Sequence, residues 1–370
     1  MKIAKIDLHN HTYGSDGKQF PLGLLQRACK EGANIVSITD HNSVKGYRHL
    51  ETQVKNILER AEKCNYEGNY KWHALYERVT TLLEQIKIIK GVEVMAQHNG
   101  NLIEVLGYNI DIPIMEKELQ ELKIGLKPMG QALVEGFHGF IDKYNPQIDK
   151  ASIKESKTKS KDMFTALKND PNFDFLMKDV NTLKEFITKH MYNPESPLYI
   201  NCTGVQPSIE QVVASIHKAG GTAILAHPGR YHFNIHAEMD NMINKGLDGI
   251  EVWHPDNAPE VSDFLLAKVR EHKLRASGGS DDHRNPKEGE QYYIGTMDVQ
   301  QIPETAWIEE SICSARDFAR ESDFMPRAID ELEEGKKKIE KNMFLASLKV
   351  TPTQPQINTT KNRRTTDKTR

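Results

Sequence analysis

The apolar positions of this 370-residue chain follow two alternating rhythms. Residues 3–8 form a short apolar run, residues 21–31 carry apolar side chains at helical spacing before Gly32, and residues 34–39 form a second run ending at Asp40-His41. A short apolar run bounded by polar residues predicts a buried strand, a 3.6-residue period predicts an amphipathic helix, and a glycine just past that period predicts a helix stop. The chain therefore opens as strand, loop, helix, strand, with polar residues at the strand ends. From about residue 48 the pattern is charged and helical, until an apolar strand at 86–94 that contains Glu93. A further strand at 102–108 follows an Asn99-Gly100 turn, which predicts a hairpin.

From about 111 to 197 the character changes: Lys, Asp and Asn dominate, apolar residues come in helical patches, and residues 154–161 are a run of Lys, Ser and Thr. The first rhythm resumes with a helix at 208–219, the turn Gly220-Gly221 and a strand at 222–226 that runs into His227-Pro228. Two more strand-then-polar units follow, one at 249–253 leading to His254-Pro255 and one at 274–278 leading to Gly279-Ser280-Asp281-Asp282-His283. Beyond about 305 the pattern is amphipathic helix, including 325–348, and from Thr351 the chain is Thr-rich, basic and aperiodic, the signature of a disordered tail. Strands alternating with helices predict an α/β fold, in which catalytic groups collect at the carboxyl ends of the strands. The expected division is a discontinuous catalytic unit at 1–110 and 198–305, an inserted helical subdomain at 111–197, C-terminal helices at 306–350 and a disordered basic tail at 351–370.

Composition narrows the function classes. Hydrophobic residues make up 38% and charged residues 27%, enough to bury a core while leaving much helix solvated. A formal net charge of -3 gives no global attraction to nucleic acid or to an anionic membrane, so an anionic substrate must be drawn by a local cluster of metal or arginine. No apolar run reaches membrane-spanning length, and the amino terminus lacks the apolar core of a secretory signal. Cys29, Cys64, Cys202 and Cys313 are far apart and form no CxxC pair, which argues against a zinc ribbon or a disulfide framework and for a reducing, cytoplasmic setting.

The candidate chemistry lies at the strand ends. In Asp7-Leu8-His9-Asn10-His11, residues two apart on a strand face the same side, so His9 and His11 can share one cation. Asp16 follows on a loop where Gly14 and Gly17 permit tight turns toward the same pocket. His41 stands just past a buried strand, where a loop turn with a capping Asp is the plainer reading. Glu93 interrupts an apolar strand, and a buried carboxylate there is costly unless a cation or a donor neutralises it. The segments His227-Pro228-Gly229-Arg230-Tyr231 and Gly279-Ser280-Asp281-Asp282-His283 again put ligand-type residues directly after apolar runs. Trp253, beside His254, is a candidate to line the pocket. The remaining histidines, among them His98, His217 and His232, fit no cluster and read as structural or surface residues.

The ordered set HxH…SDG, TDH, GxE, AHPGRY and GGSDxH resembles the PHP (polymerase and histidinol phosphatase) superfamily. Within it, LGY after GxE, a helical insertion and the Gly-Gly-strand lead into AHPGRY are most similar to the subgroup that hydrolyses nucleotide bisphosphates and short oligoribonucleotides. The resemblance covers roughly residues 3–110 and 197–300 and implies a distorted (β/α)7 TIM-like barrel holding three divalent metal ions, Mn, Fe or Zn. Carried across, His9, His11, Glu93 and Asp281 would bind one metal, Glu93 would bridge to a second held also by His227, and Asp16, His41 and His283 would hold the third. Where the subgroup has a histidine before Val-Leu-Gly-Tyr as a ligand of the second metal, this chain has Glu104, a harder and more anionic donor. The stretch between His41 and Glu93 is longer than in the family, so residues near 50–85 are expected to form an additional helical element. The implied activity is metal-assisted phosphoester hydrolysis, with Arg230 on the phosphate oxygens. The alternative for Arg230 is a surface ion pair. His254 is a candidate proton donor to the leaving alkoxide or a substrate contact, the alternative being a hydrogen-bonded loop histidine. The expected substrate is a small phosphorylated nucleotide such as a nucleoside 3',5'-bisphosphate, with 5'-3' exonuclease action on short RNA and no membrane partner. Competing expectations are a phosphatase of another metabolite such as histidinol phosphate, and a non-catalytic metal-binding scaffold.

Overall fold

The computed structural model describes residues 5–65, 70–122, 126–144, 148–155, 159–191, 193, 195–200, 206–284 and 292–314. Strand β1 (Lys5–Asp7) leads through a loop to helix α1 (Pro21–Glu31) and strand β2 (Ala33–Ile38). Helix α1 starts on a proline, whose missing N–H costs nothing in the first turn, and stops where Gly32 at φ 81° turns its N–H back onto the carbonyls of Ala28 and Cys29. Its inner face buries Leu22, Leu24, Leu25 and Ala28. Helices α2 (Lys45–Asn65) and α3 (Tyr70–Gln85) fill the stretch before strand β3 (Lys87–His98), so the long segment after His41 is an antecedent helix pair. Strand β4 (Asn101–Tyr108) returns antiparallel to β3 across a two-residue turn in which Asn99 and Gly100 both have positive φ, 48° and 82°, as a tight hairpin requires.

The inserted stretch is helical: α4 (Ile112–Glu121), α5 (Leu126–Ile141), α6 (Lys150–Glu155), α7 (Lys159–Lys168), α8 (Asp174–Met177) and α9 (Leu183–Phe186). The barrel pattern then continues as α10 (Ile209–Lys218), β5 (Thr222–Leu225), α11 (Ile235–Ile243), β6 (Gly249–Trp253), α12 (Pro259–His272) and β7 (Arg275–Gly278), followed by α13 (Trp307–Glu310) and a short β8 (Cys313–Ser314) that pairs with β3. Spatial order follows chain order from β1 to β7. Pairs β1–β2, β2–β3, β5–β6 and β6–β7 are parallel, whereas β4 runs antiparallel to both neighbours. Beyond the strand ends the sheet closes: the Leu8 N–H donates to Gly278 O at 3.1 Å and the His11 N–H to Asp282 O at 3.0 Å. The result is a distorted seven-strand TIM-like barrel, the reversed β4 being the distortion.

One apolar cluster, built from Leu8, Ile38, Val92, Leu106, Ile224, Ile250 and their neighbours, fills the barrel and its helix contacts. A second, around Phe137, Met163, Leu167, Phe173 and Phe186, lies within the insertion, and Met95 of β3 packs against it. Met95 lies two residues beyond Glu93 on β3, and one cavity is lined by both insertion and barrel side chains. Trp253, for which a core position is the plainer expectation and pocket lining the alternative, is part of the barrel core. The helix expected at 325–348 and the tail from Thr351 lie outside the described residues.

Candidate metal centre

Burial and register aim the polar residues inward. In the hairpin, Glu93 pairs with Leu106 and Met95 with Glu104, so Glu93 and Glu104 share one face of the sheet. His41 forms a bridge beside Glu93, and the Asn42 N–H donates to Glu93 O at 2.7 Å, which brings the end of β2 onto the same spot. His227 and Asp281 adopt φ of 26° and 56°, an unusual region for non-glycine residues that turns the chain sharply just past β5 and β7. Gly279 is required where it stands, since a Cβ there would collide with the backbone of His9.

The side chains meet around Glu93, which is fully buried. Its Oε2 lies 3.2 Å from His9 Nε2, 3.2 Å from His11 Nε2 and 3.0 Å from His41 Nδ1, and its Oε1 lies 2.9 Å from His227 Nε2. Asp281 Oδ1 stands 3.4 Å from His9 Nε2, 3.1 Å from His11 Nε2 and 3.5 Å from His283 Nδ1. Asp16 Oδ1 is 3.3 Å from His283 Nε2 and 3.9 Å from both His11 Nδ1 and His41 Nε2. Glu104 completes the ring, 3.3 Å from His41 Nδ1 and 3.2 Å from His227 Nε2. All nine candidate ligands therefore lie in one region: eight of them group as His9, His11, Glu93 and Asp281, as His11, Asp16, His41 and His283, and as His41, Glu93 and Glu104, while His227 joins through Glu93 and Glu104.

This donor set suits metal ions. Ligands held about 2.1 Å from an ion in tetrahedral or octahedral arrangement stand about 3.0–3.4 Å apart, the spacing found here. Buried His9 Nε2, His11 Nε2, His41 Nδ1, Glu93 Oε2 and Asp281 Oδ1 have no hydrogen-bond partner, although such atoms are ordinarily satisfied. Charge tells the same story. Burial works against ionisation of Glu93, yet His9 and His41 hold its carboxyl well below the usual range, and Arg230 with His9 does the same for Asp281. Against desolvation, Glu93 and Glu104 push His41 up to about 10, Glu104 and Glu93 push His227 up to about 9, and Asp16 with Asp281 pushes His283 up to about 9. Two buried carboxylates held ionised among imidazoles demand positive charge, which metal ions supply once the imidazoles give up their protons.

A supporting layer orients the ligands. Glu251, wholly buried on β6, accepts from His9 Nδ1 at 3.0 Å through one oxygen and from the His227 N–H at 2.8 Å through the other. That fixes the His9 tautomer with Nε2 free to ligate. Asp40 accepts from the Thr12 N–H at 2.7 Å, the Thr12 hydroxyl at 2.6 Å and the Ser15 hydroxyl at 2.8 Å, pinning the loop that carries Asp16. Arg230 spans two acids, with Nε 3.0 Å from Asp256 and Nη1 2.9 Å from Asp281, and its side chain stays 38% exposed at the cavity rim. His254 is buried, accepts the Asp256 N–H on Nδ1 at 3.0 Å and turns Nε2 toward Asp281 at 3.8 Å. Burial lowers its pKa against the opposing pull of Glu251 and Asp281. His98, as expected, lies apart and pairs with Glu238 at 2.9 Å.

The PHP domain model matches residues 7–274, well over half of the chain. The chain belongs to the PHP domain family. Among curated PHP relatives, it is 25% identical over 291 residues to the 5'-3' exoribonuclease Rnm of Escherichia coli, covering 75% of this chain and 85% of that one. It is 26% identical over 318 residues to the 3',5'-nucleoside bisphosphate phosphatase of Chromobacterium violaceum, covering 83% and 96%. A solved structure of an amidohydrolase from C. violaceum superposes with a TM-score of 0.55 at 22% identity over 84% of this chain and 98% of that one, a likeness of fold.

Glu251 and Asp40 carry structural consequences that the sequence reading left unused. Glu251 had a visible signal, since it interrupts the apolar run of β6 just as Glu93 interrupts β3. Asp40 stood inside the TDH motif but was read only as a capping residue. His232, read as unclustered, lines the cavity beside the centre.

Proposed function

We propose that this PHP-domain protein is a metal-dependent phosphoesterase that hydrolyses phosphomonoesters of small nucleotides such as nucleoside 3',5'-bisphosphates, and that shortens short RNA from its 5' end. The observation that carries the reading is the gathering of nine His, Asp and Glu side chains from separate strands and loops around Glu93, several with buried, unpartnered donor atoms. The relatives named above act on nucleotide and RNA phosphoesters, which supports this substrate class.

We assign His9, His11, Glu93 and Asp281 to one divalent ion, Glu93, Glu104 and His227 with His41 alongside to a second, and Asp16, His41 and His283 with His11 to a third. Mn or Fe suits the carboxylate-rich Glu104 position better than Zn. When bound, such ions supply Lewis-acid polarisation of a phosphoryl group and an activated water at neutral pH. The protein's own residues position and neutralise. Arg230, held rigid between Asp256 and Asp281 and exposed at the rim, presents its remaining N–H groups to phosphate oxygens. Burial of Glu93 and Asp281 keeps water away from the charged centre, strengthening every interaction there. No helix among the described residues is long and apolar enough to cross a membrane, and we place the protein in the cytoplasm, where a scattered set of cysteines stays reduced.

The test is a phosphoester panel on metal-loaded protein. Phosphate release from nucleoside 3',5'-bisphosphates and not from histidinol phosphate, abolished together with bound metal in His9→Ala and Asp281→Ala, supports the assignment. Metal-loaded protein that releases phosphate from none of many phosphoesters overturns it in favour of a scaffold role.

A further inference from the structure

A cavity of about 310 Å³ opens directly beside the metal centre, with Glu104, His227 and Arg230 at one end. The insertion contributes Lys184, Ile187, Tyr199 and Ile200 to its lining, and the barrel contributes Tyr231 and Phe233. Tyr231 and Phe233 stack with ring centroids 5.3 Å apart and an interplanar angle of 9°, offering a flat aromatic wall. Tyr199 is fixed opposite by its hydroxyl, which donates to Gly100 O at 2.8 Å. The volume lies at the small end of ligand pockets, a size for one nucleotide rather than a strand.

Lys184 is a second cation on the lining of this cavity. Its ammonium sits 5.8 Å from the centroid of the Tyr292 ring, close enough for a cation–π contact. The Tyr292 hydroxyl donates to Asp256 at 2.6 Å, and Asp256 in turn pairs with Arg230. A chain of contacts through Tyr292 and Asp256 thus links the two cations. Among the described residues no carboxylate lies within ion-pair distance of Lys184, and its neighbour Glu185 is turned away to accept the Asn181 and Thr182 N–H groups at 2.7 and 3.0 Å. A slot lined by two cations and by apolar and aromatic side chains matches a ligand that carries two anions and a flat ring.

Resting on the phosphoesterase reading above, we propose that Lys184, supplied by the insertion, binds the second, non-scissile phosphate of a nucleoside bisphosphate and so selects doubly phosphorylated nucleotides over single phosphomonoesters. The scissile phosphate then lies at the Arg230 end and the base lies in the slot along Tyr231 and Phe233.

Steady-state kinetics of the full metal-loaded chain, with adenosine 3',5'-bisphosphate and p-nitrophenyl phosphate as substrates, test the assignment. Lys184→Met keeps the apolar stem and removes the charge. KM for the bisphosphate is expected to rise about tenfold with kcat nearly unchanged, the loss of one charge-assisted contact. Turnover of p-nitrophenyl phosphate, with its single anion, is expected to stay at the wild-type level, and Lys184→Arg is expected to restore bisphosphate KM. An unchanged bisphosphate KM, or equal losses on both substrates, overturns the role of Lys184. Calorimetric binding of adenosine 3',5'-bisphosphate separates this from the reading on which it rests. If the wild-type protein turns over neither substrate, the proposed function fails, and Lys184 still stands or falls on whether Lys184→Met weakens that binding.

Discussion

Glu251→Gln is the most searching single perturbation of the supporting layer. The carboxylate has two acceptor oxygens and uses both, one for His9 Nδ1 at 3.0 Å and one for the His227 N–H at 2.8 Å. A glutamine of the same shape has one acceptor and one donor. If its oxygen stays on the His227 amide, its NH2 faces His9 Nδ1, which must then give up its proton. The His9 proton moves to Nε2, the atom that stands 3.2 Å from Glu93 and 3.4 Å from Asp281 and that a metal would need bare. If the glutamine turns over, the His227 N–H meets an N–H and stays buried and unsatisfied. The first outcome keeps the contact but puts a proton on the ligating nitrogen, the second leaves a buried N–H unsatisfied at about 1–3 kcal/mol, and substitutions of this supporting kind lower metal affinity about 10–100-fold. The assay is a chelator competition that measures metal affinity, paired with a thermal melt to show that the fold persists. Wild-type metal affinity in a folded Glu251→Gln protein would refute the argument that Glu251 sets the His9 tautomer.

Three further outcomes follow from the same geometry. Asp40→Ala removes the acceptor of the buried Thr12 N–H and of two hydroxyls, so chemical denaturation should show a loss of about 3 kcal/mol. Because His41, His227 and His283 have folded pKa values of about 10, 9 and 9 against an ordinary 6.5, their protonated forms stabilise the metal-free protein below about pH 6.5. Melting of chelator-treated protein should therefore fall as pH rises toward 10, while metal-loaded protein holds, and parallel curves would count against this pairing of imidazoles with acids. Glu104→His replaces a hard donor by an imidazole, and equilibration with mixed metals followed by elemental analysis should show a higher ratio of zinc to manganese than in the wild-type protein.

Much of the fold was legible because strand ends carry their own punctuation. Apolar runs terminated by Asp40-His41, His227-Pro228 and Gly279-Ser280-Asp281 mark buried strands whose carboxyl ends face one mouth, and Asn99-Gly100 fixes the hairpin that reverses β4. Most of the metal-centre candidates were legible for a related reason: a carboxylate such as Glu93 within an apolar strand has few explanations other than a cation. The same reasoning applied to Glu251 and would have found it. The loop network around Asp40 was not legible, because the residue types Thr12 and Ser15 occur in countless loops and only the folded chain shows them sharing one acceptor. Lys184 was equally silent, being one lysine in a lysine-rich insertion until docking of that segment on the barrel put it on the same cavity as Arg230.

The central claim is that these strand ends form one multinuclear metal centre. Anomalous X-ray scattering from crystals of the manganese-loaded protein, recorded on both sides of the manganese edge, tests it most directly. The account predicts three peaks in the cavity ringed by Glu93, Asp281 and the five surrounding histidines. Manganese peaks found only elsewhere on the protein, with none touching Glu93, would contradict it.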